Sequence, residues 1–356
     1  MTGGGTGGHI YPALATIDKI KELEPNSEFL YIGVKGKMEC QIVPDHGVNF
    51  KSIVISGIDR KNILKNFKTF VLFFSAYRSV KKIIKDFKPD VAFGTGGYVT
   101  GPVLFAAHKS KVPTVLLEQD AALGLANKFL SKKVNTICYV FESGVESIKD
   151  LNIVKTGNPA SEAILKPKNI DSGIRGLKKG MKKVLITGGS LGAAVFEKIV
   201  TEKSEDEINY QIIYATGRKN YEKFIGNNKI ENKNIIVVPY IDNMAGLLQD
   251  IDLIIGRAGA TSITENLALG MPSIIIPYPH AGNNEQLFNA QQIEKQGGCI
   301  CVEEKDVNTK MLFEKVENLL FDEIKYESMK KSALKLGIQD SATRVYQQLS
   351  KVARRG

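Results

Sequence analysis

Glycine-rich turns recur four times in this chain, at Gly3–Gly8, Gly94–Gly97, Gly188–Gly192 and Gly256–Gly259. Three of them close a short β-branched run, namely Asp90–Phe93, Lys183–Thr187 and Leu253–Ile255, and each leads into a stretch of helical length. A strand, a tight turn and a helix N-terminus together present backbone N–H groups that suit an anion, phosphate above all. Four such cradles are more than a single dinucleotide needs. Further runs at Glu28–Gly33, Thr114–Leu117, Gln211–Ala215, Ile235–Val238 and Ser273–Ile276 alternate with amphipathic stretches such as Phe70–Phe87 and Met311–Phe321. Alternation of this kind predicts parallel βαβ units with helices on both faces of the sheet, an α/β fold.

At ~150 residues per domain, a chain of 356 residues makes two. The halves echo each other: Thr2-Gly3-Gly4-Gly5-Thr6-Gly7-Gly8 opens the first and Thr187-Gly188-Gly189-Ser190-Leu191-Gly192-Ala193 the second. The expected division is 1–160, a Lys/Pro/Gly/Asn-rich linker over 161–182, and 183–340. A final segment, 341–356, is expected to pack back on the first half. Hydrophobic residues at 43% and charged residues at 24% exclude disorder or a fibrous repeat as the main state. Four cysteines without C-x-x-C or zinc-ligand spacing point to a reducing compartment and to packing roles. The apolar cluster Phe70–Phe74 is far below the ~20 residues of a spanning helix, and the Gly-rich start is not a signal peptide.

Gly3, Gly5 and Gly8 satisfy G-x-G-x-x-G, yet only Met1 and Thr2 precede them where a strand is expected. The expectation is a start several residues upstream. A nicotinamide enzyme would want an acidic residue closing the second strand, where Gly33-Val34-Lys35 stands. In the second half Arg257 is placed to meet a phosphate, with Glu265 on the following helix to take a ribose hydroxyl pair. The polar run His280–Gln286 follows Ser273–Ile276 at the strand end where open parallel sheets bind ligands. Asp250-Ile251-Asp252 matches the D-x-D of metal-dependent glycosyltransferases but lies at the opposite strand end, so a capping or solvated role is expected. No carboxylate or histidine cluster has magnesium or zinc spacing, and His46 and His108 are read as incidental.

Taken together, Gly4–Ala13, Gly94–Pro102, Glu118-Gln119 with Asn127, Gly188–Ala193, Pro239–Asp242, Arg257–Glu265 and His280–Ala290 resemble the MurG family, in the family's order and over essentially the whole chain. These enzymes are the lipid-intermediate N-acetylglucosaminyltransferases of peptidoglycan synthesis. The resemblance implies a GT-B architecture, two Rossmann-like domains facing a cleft. It implies transfer of N-acetylglucosamine from UDP-N-acetylglucosamine to the muramoyl 4-hydroxyl of lipid I, with lipid II and UDP as products. By the family's pattern Ile241 holds uracil through its backbone, Glu265 takes the ribose, and Ser190, Ala260 and Thr261 face the diphosphate. Gln286 meets the sugar hydroxyls. Thr6, Gly7, Gly8 and Asp120 count among the donor-binding residues, the glycine turn with His9 also lining the acceptor side, and Tyr98, Glu118 and Asn127 lie near the cleft. Three positions depart from the pattern: Asp120 replaces an Asn, Ala160-Ser161 an Arg-bearing turn, and Glu285 a His or Gln. Other UDP-sugar GT-B enzymes, including an epimerase, and a nucleotide-sugar-binding protein without catalysis are the competing readings.

Going from an α-linked donor to a β-linked product inverts the anomeric centre, so one base is needed for the acceptor hydroxyl. His9, with an ordinary pKa of ~6.5, is the first candidate and Glu118 the second. Charge from Arg257, loop N–H groups and a helix dipole would meet the departing diphosphate, so neither metal nor cofactor is expected. The net charge of +10 is concentrated. Residues 60–88 hold nine basic residues, among them Lys61, Lys65 and Lys68, against Asp86 alone. Ile63, Phe67, Phe70, Phe73 and Phe74 are interleaved with them, the composition of an amphipathic anchor for an anionic membrane surface. That places the anchor in Ile63–Phe74 and the protein at the cytoplasmic face of the cell membrane, as a peripheral enzyme. It argues against nucleic acid, and makes wall-synthesis and division proteins the expected protein partners.

Overall fold

The computed structural model describes residues 1–57, 66–166, 171–189 and 192–354, apart from the side chains of residues 66, 68 and 283. The chain divides into two compact units, Met1–Ala163 with Asp340–Gly356, and Ile164–Gln339. Each is a parallel sheet covered by helices.

In the first unit the strands are β1 (Leu30–Val34), β2 (Asn49–Ile53), β3 (Ala92–Gly94), β4 (Thr114–Glu118), β5 (Thr136–Tyr139) and β6 (Ile153–Lys155). β1 pairs with β2, and β3 to β6 pair in sequence, all parallel. Thr2 joins the two groups through parallel bridges to Ile32 and to Gly94. Its N–H donates to the Phe93 carbonyl at 2.9 Å, and the Ile32 N–H donates to the Met1 carbonyl at 2.9 Å. The place of the strand expected before the first glycine loop is therefore held by Met1 and Thr2. Counting that place as one, the order is three-two-one-four-five-six-seven, and the chain reverses direction across the sheet between Thr2 and β3. This is the topological switch point, where open α/β sheets bind ligands. The terminal helix Ser341–Ala353 packs in this unit, against the helix Gly7–Leu23 and the short helix Ala160–Ala163. Its Val345, Leu349 and Val352 repeat at helical spacing and are all buried.

The second unit holds β7 (Lys183–Thr187), β8 (Gln211–Ala215), β9 (Ile235–Val238), β10 (Leu253–Gly256), β11 (Ser273–Ile275) and β12 (Ile300–Cys301). They form one parallel sheet in the order β9-β8-β7-β10-β11-β12, which puts its switch point between β7 and β10. Val184 and Ile186 face a core with Phe196, Ile212, Phe313 and Val316, whereas Leu185 faces Ile213, Leu247 and Ile254 on the other side. Burial on both faces explains why these strands read as unbroken apolar runs. β2, β5, β6 and β12 escape the sequence reading. β6 and β12 have only three and two residues, and β2 is an edge strand with three exposed positions.

The basic aromatic segment becomes one helix, Asn66–Phe87. Phe67, Phe70, Val71 and Phe74 are 77%, 64%, 54% and 43% exposed and lie on one helical face. Phe73 departs from the expectation of a membrane-facing side chain. It falls on the opposite stripe with Ala76, Tyr77 and Val80, and its ring meets Phe105 at 6.2 Å and Phe129 at 6.0 Å. Lys61, Ile63 and Lys65 lie outside the described residues, as does the side chain of Lys68.

Candidate active site

The first switch point brings three glycine-bearing turns together. His9 opens the helix Gly7–Leu23, with the exposed Thr6 as its N-cap. The His9 Nδ1 lies 3.2 Å from the Gly4 carbonyl and 3.4 Å from Thr6 Oγ1. A carbonyl only accepts, so Nδ1 carries the proton and Nε2 presents a lone pair. The backbone of His9 is pinned as well, because Thr95 Oγ1 donates to its carbonyl at 2.5 Å. Gly96, at φ +113°, packs close to the imidazole, and a β-carbon there would stand 2.6 Å from Cδ2 and 2.9 Å from Nε2. Burial holds the imidazole below its ordinary pKa. The Asp120 charge, the Gly4 bond and the Glu39 charge oppose that pull.

Glu118 ends β4 and is buried. Its Oε1 accepts from the Asp120 N–H at 3.2 Å, and its Oε2 from the Gly124 N–H at 3.0 Å and Asn127 Nδ2 at 2.9 Å. These bonds give Glu118 a part in shaping the loop after β4. Both oxygens are engaged in closing the loop that carries Asp120, and Asn127 also reaches the Leu117 carbonyl. Burial, with the Asp120 charge, pushes Glu118 up to about 7. Gln119 donates to the Thr95 carbonyl at 2.6 Å, and its Oε1 accepts from Asn158 at 2.9 Å. A chain of buried amides thus ties together the C-terminal ends of β3, β4 and β6. Tyr98 is half-buried beside Gly5 and Gly57.

At the second switch point the loop after β10 leads into the helix Ala260–Leu269, whose N-cap is Gly259 with no side-chain cap. Ala260 and Thr261 therefore stand in its first turn, where the helix dipole favours an anion. Gln286 Oε1 accepts from the Ala258 N–H at 3.2 Å and the Tyr278 N–H at 3.0 Å, and Asn289 donates to the Ala258 carbonyl at 3.1 Å. That leaves only the Gln286 amide nitrogen for a sugar. Arg257 also differs from expectation. Its guanidinium donates to the carbonyls of Ile276 and Pro277, pairs with Glu304 at 2.6 Å and lies over Phe196 and Tyr278. In this structure it braces the turn after β11 and is paired with Glu304. Glu265 is half-buried, and among the described residues no hydrogen bond or ion pair reaches its carboxyl. Desolvation alone raises it to about 8. Ile241 is buried among Ile213, Ala215 and Leu247, which leaves its backbone unused by the described residues. Ser190 lies outside them. Asp252 accepts from the Lys183 N–H and pairs with Lys182 at the N-terminal end of β7, a structural tie.

Residues 1–139 match the glycosyltransferase family 28 N-terminal domain and residues 183–345 the family 28 C-terminal domain. A UDP-N-acetylglucosamine--N-acetylmuramyl-(pentapeptide) pyrophosphoryl-undecaprenol N-acetylglucosamine transferase of Lactobacillus johnsonii is 44% identical over 97% of this chain and 96% of its own length. The chain belongs to the MurG branch of glycosyltransferase family 28. A Bacillus cereus relative of the same activity name is 41% identical, over 100% of this chain and 99% of its own. The crystal structure of MurG from Acinetobacter baumannii matches with a TM-score of 0.77 at 25% identity, covering 99% of this chain and 98% of that one. Beyond the MurG family, a UDP-GlcNAc 2-epimerase structure from Neisseria meningitidis has a TM-score of 0.69 at 15% identity, covering 98% of this chain and 99% of that one, and shares the fold alone.

Within this family frame, sequence motifs locate His9, Glu265 and Gln286 at switch points, but they miss Thr95, Glu39 and Asn289. Thr95 sits inside a glycine motif, where a hydroxyl draws no notice. Glu39 belongs to no motif at all; its side chain reaches the Gly5 N–H at 3.3 Å only through the fold. Among the described residues no cluster of His, Cys, Asp or Glu could hold a metal ion.

Proposed function

We propose that this enzyme transfers N-acetylglucosamine from UDP-N-acetylglucosamine to the muramoyl 4-hydroxyl of lipid I, with His9 as the base. The observation that carries the base assignment is the 3.2 Å contact of His9 Nδ1 with the Gly4 carbonyl on a pinned backbone, which leaves Nε2 as the ring nitrogen to accept a proton. The 4-hydroxyl oxygen attacks the anomeric carbon, the bond from that carbon to the diphosphate oxygen breaks, and Nε2 takes the hydroxyl proton. One displacement inverts the centre. UDP leaves with the bonding electron pair, met by the first-turn N–H groups of Ala260–Leu269. Glu265, whose carboxyl has no partner among the described residues, is suited to the ribose, and the Ile241 backbone, unbonded among them, to uracil. Thr6, Gly7 and Gly8 accompany His9, while Asp120 acts through its charge. Tyr98 lines the acceptor side.

The acceptor is a lipid, and the exposed face Phe67, Phe70, Val71 and Phe74 supports a membrane contact. The same face continues through Arg78, Lys82 and Lys85, all exposed. Leu125 and Phe129, 50% and 43% exposed, extend the apolar area, and Lys133 lies over the Phe129 ring. No described helix is long and apolar enough to cross a membrane, so attachment from the side is the reading proposed. Incubation with UDP-N-acetylglucosamine and a short-chain lipid I analogue tests the whole scheme. UDP release with formation of a β-linked disaccharide, unchanged by a chelator, is the expected result. An epimerised sugar, or UDP release without disaccharide, overturns it.

A further inference from the structure

Glu39 is fully buried, although a carboxylate is costly to bury unless something uses its charge. It opens the short helix Glu39–Asp45 after β1, yet its side chain turns back toward the first glycine loop. Oε1 accepts from the Val34 N–H at 3.0 Å and Oε2 from the Gly5 N–H at 3.3 Å. Gly4 and Gly33 leave the room, since a β-carbon on either would collide with the Glu39 side chain. The Gly5 N–H and the Gly4 carbonyl are the two ends of one peptide group. That carbonyl is the one that accepts from His9 Nδ1 at 3.2 Å.

We propose that Glu39 is a positioning residue that acts on His9 through the Gly4–Gly5 peptide, as a carboxylate–peptide–imidazole relay. The carboxylate polarises the peptide by holding its N–H, and the polarised carbonyl is a stronger acceptor for the Nδ1 proton. The relay fixes the tautomer and makes Nε2 more basic, the service that a carboxylate bonded directly to Nδ1 gives in other histidine bases. Gly97, at φ +79°, packs onto the Gly4 carbonyl, so the peptide cannot flip without displacing the Gly94–Gly97 turn. Tyr31 holds the preceding residue by donating to the Gly3 carbonyl at 2.9 Å. The charges facing His9 are Asp120, from the loop after β4, and Glu39; its own helix has no acidic residue in the first turn. Thr95 and Gly96 face it from the loop after β3, and neither carries a charge.

The inference rests on His9 being the base, and the experiment separates the two. Lipid II formation is measured against pH for wild type, Glu39→Gln, His9→Ala and the double variant, each checked for a native melting transition. Glu39→Gln is expected to lower kcat about tenfold with the donor KM within about twofold, and to move the acidic limb of the kcat profile to lower pH. In the His9→Ala background the same change is expected to cost nothing further. Equal losses in both backgrounds, or an unmoved limb, overturn the relay while leaving His9 in place. Full activity of His9→Ala overturns the base itself. If Glu39→Gln does not fold, ¹⁵N-histidine NMR of the wild type decides, with His9 assigned from His9→Ala: a neutral ring protonated on Nδ1 supports the relay and one protonated on Nε2 rejects it.

Discussion

The Asn127 amide donates to Glu118 Oε2 at 2.9 Å, and with the Gly124 N–H on the same oxygen it closes the loop that presents Asp120. A glutamine at 118 would turn an N–H₂ toward one of these donors, so Glu118→Gln should destabilise the fold by about 1–3 kcal/mol. Glu118 sits at about 7 in the fold, above its unfolded value. The stability it contributes is thus fully present below the unfolded pKa and is lost as pH rises through about 7. Thermal melts should therefore show the gap between wild type and variant narrowing from pH 5 to pH 8. A gap that widens would contradict this account.

His9→Ala should reduce kcat by ~10²-fold or more, the usual size of a lost general base, with the donor KM little changed. Steady-state kinetics with a lipid I analogue is the measurement. An effect confined to KM would leave His9 as a binding residue.

Asp120→Asn replaces the carboxylate by its neutral isostere. Removing that charge takes away a stabilising influence on the imidazolium. The His9 pKa falls, and the acidic limb of kcat/KM should move to lower pH. An upward move would show that Asp120 does not act on His9 by charge.

Glu265→Ala should raise the donor KM by about tenfold, the loss of one or two hydrogen bonds at about 0.5–1.5 kcal/mol each, with little effect on the acceptor KM. Glu265→Gln should also stabilise the protein in alkaline buffer. With the folded pKa near 8, the wild type loses stability as pH rises toward and past that value, and the glutamine does not. Melting at pH 6 and pH 9 should show the variant gaining at the higher pH only.

Replacing Phe67, Phe70 and Phe74 together by Ser should abolish co-sedimentation with anionic vesicles and leave activity on a soluble acceptor intact. Phe73→Ala is the contrasting control. It should cost up to about 3 kcal/mol of stability, the low end for a packed Phe, and leave vesicle binding unchanged. Equal effects of the two on vesicle binding would reject the assignment of faces.

What the sequence by itself determined was local. β-branched runs beside glycine turns read correctly as β3, β7 and β10, because strand propensity and turn sterics act over a few residues. The MurG motifs carried His9, Glu265 and Gln286 with them. Tertiary structure decided which of the polar residues near these turns are open to a substrate. Glu118 and Arg257 look available in sequence, yet partners brought in by the fold take up their charges: the 120–127 loop for one, Glu304 for the other. Glu39 looks like an ordinary surface acid, and only the pairing of β1 with the Met1–Thr2 place in the sheet sets it under the Gly4–Gly5 peptide. Hydrogen bonds between segments far apart in the chain leave no periodicity to read, so where a buried charge finds its partner is settled by packing.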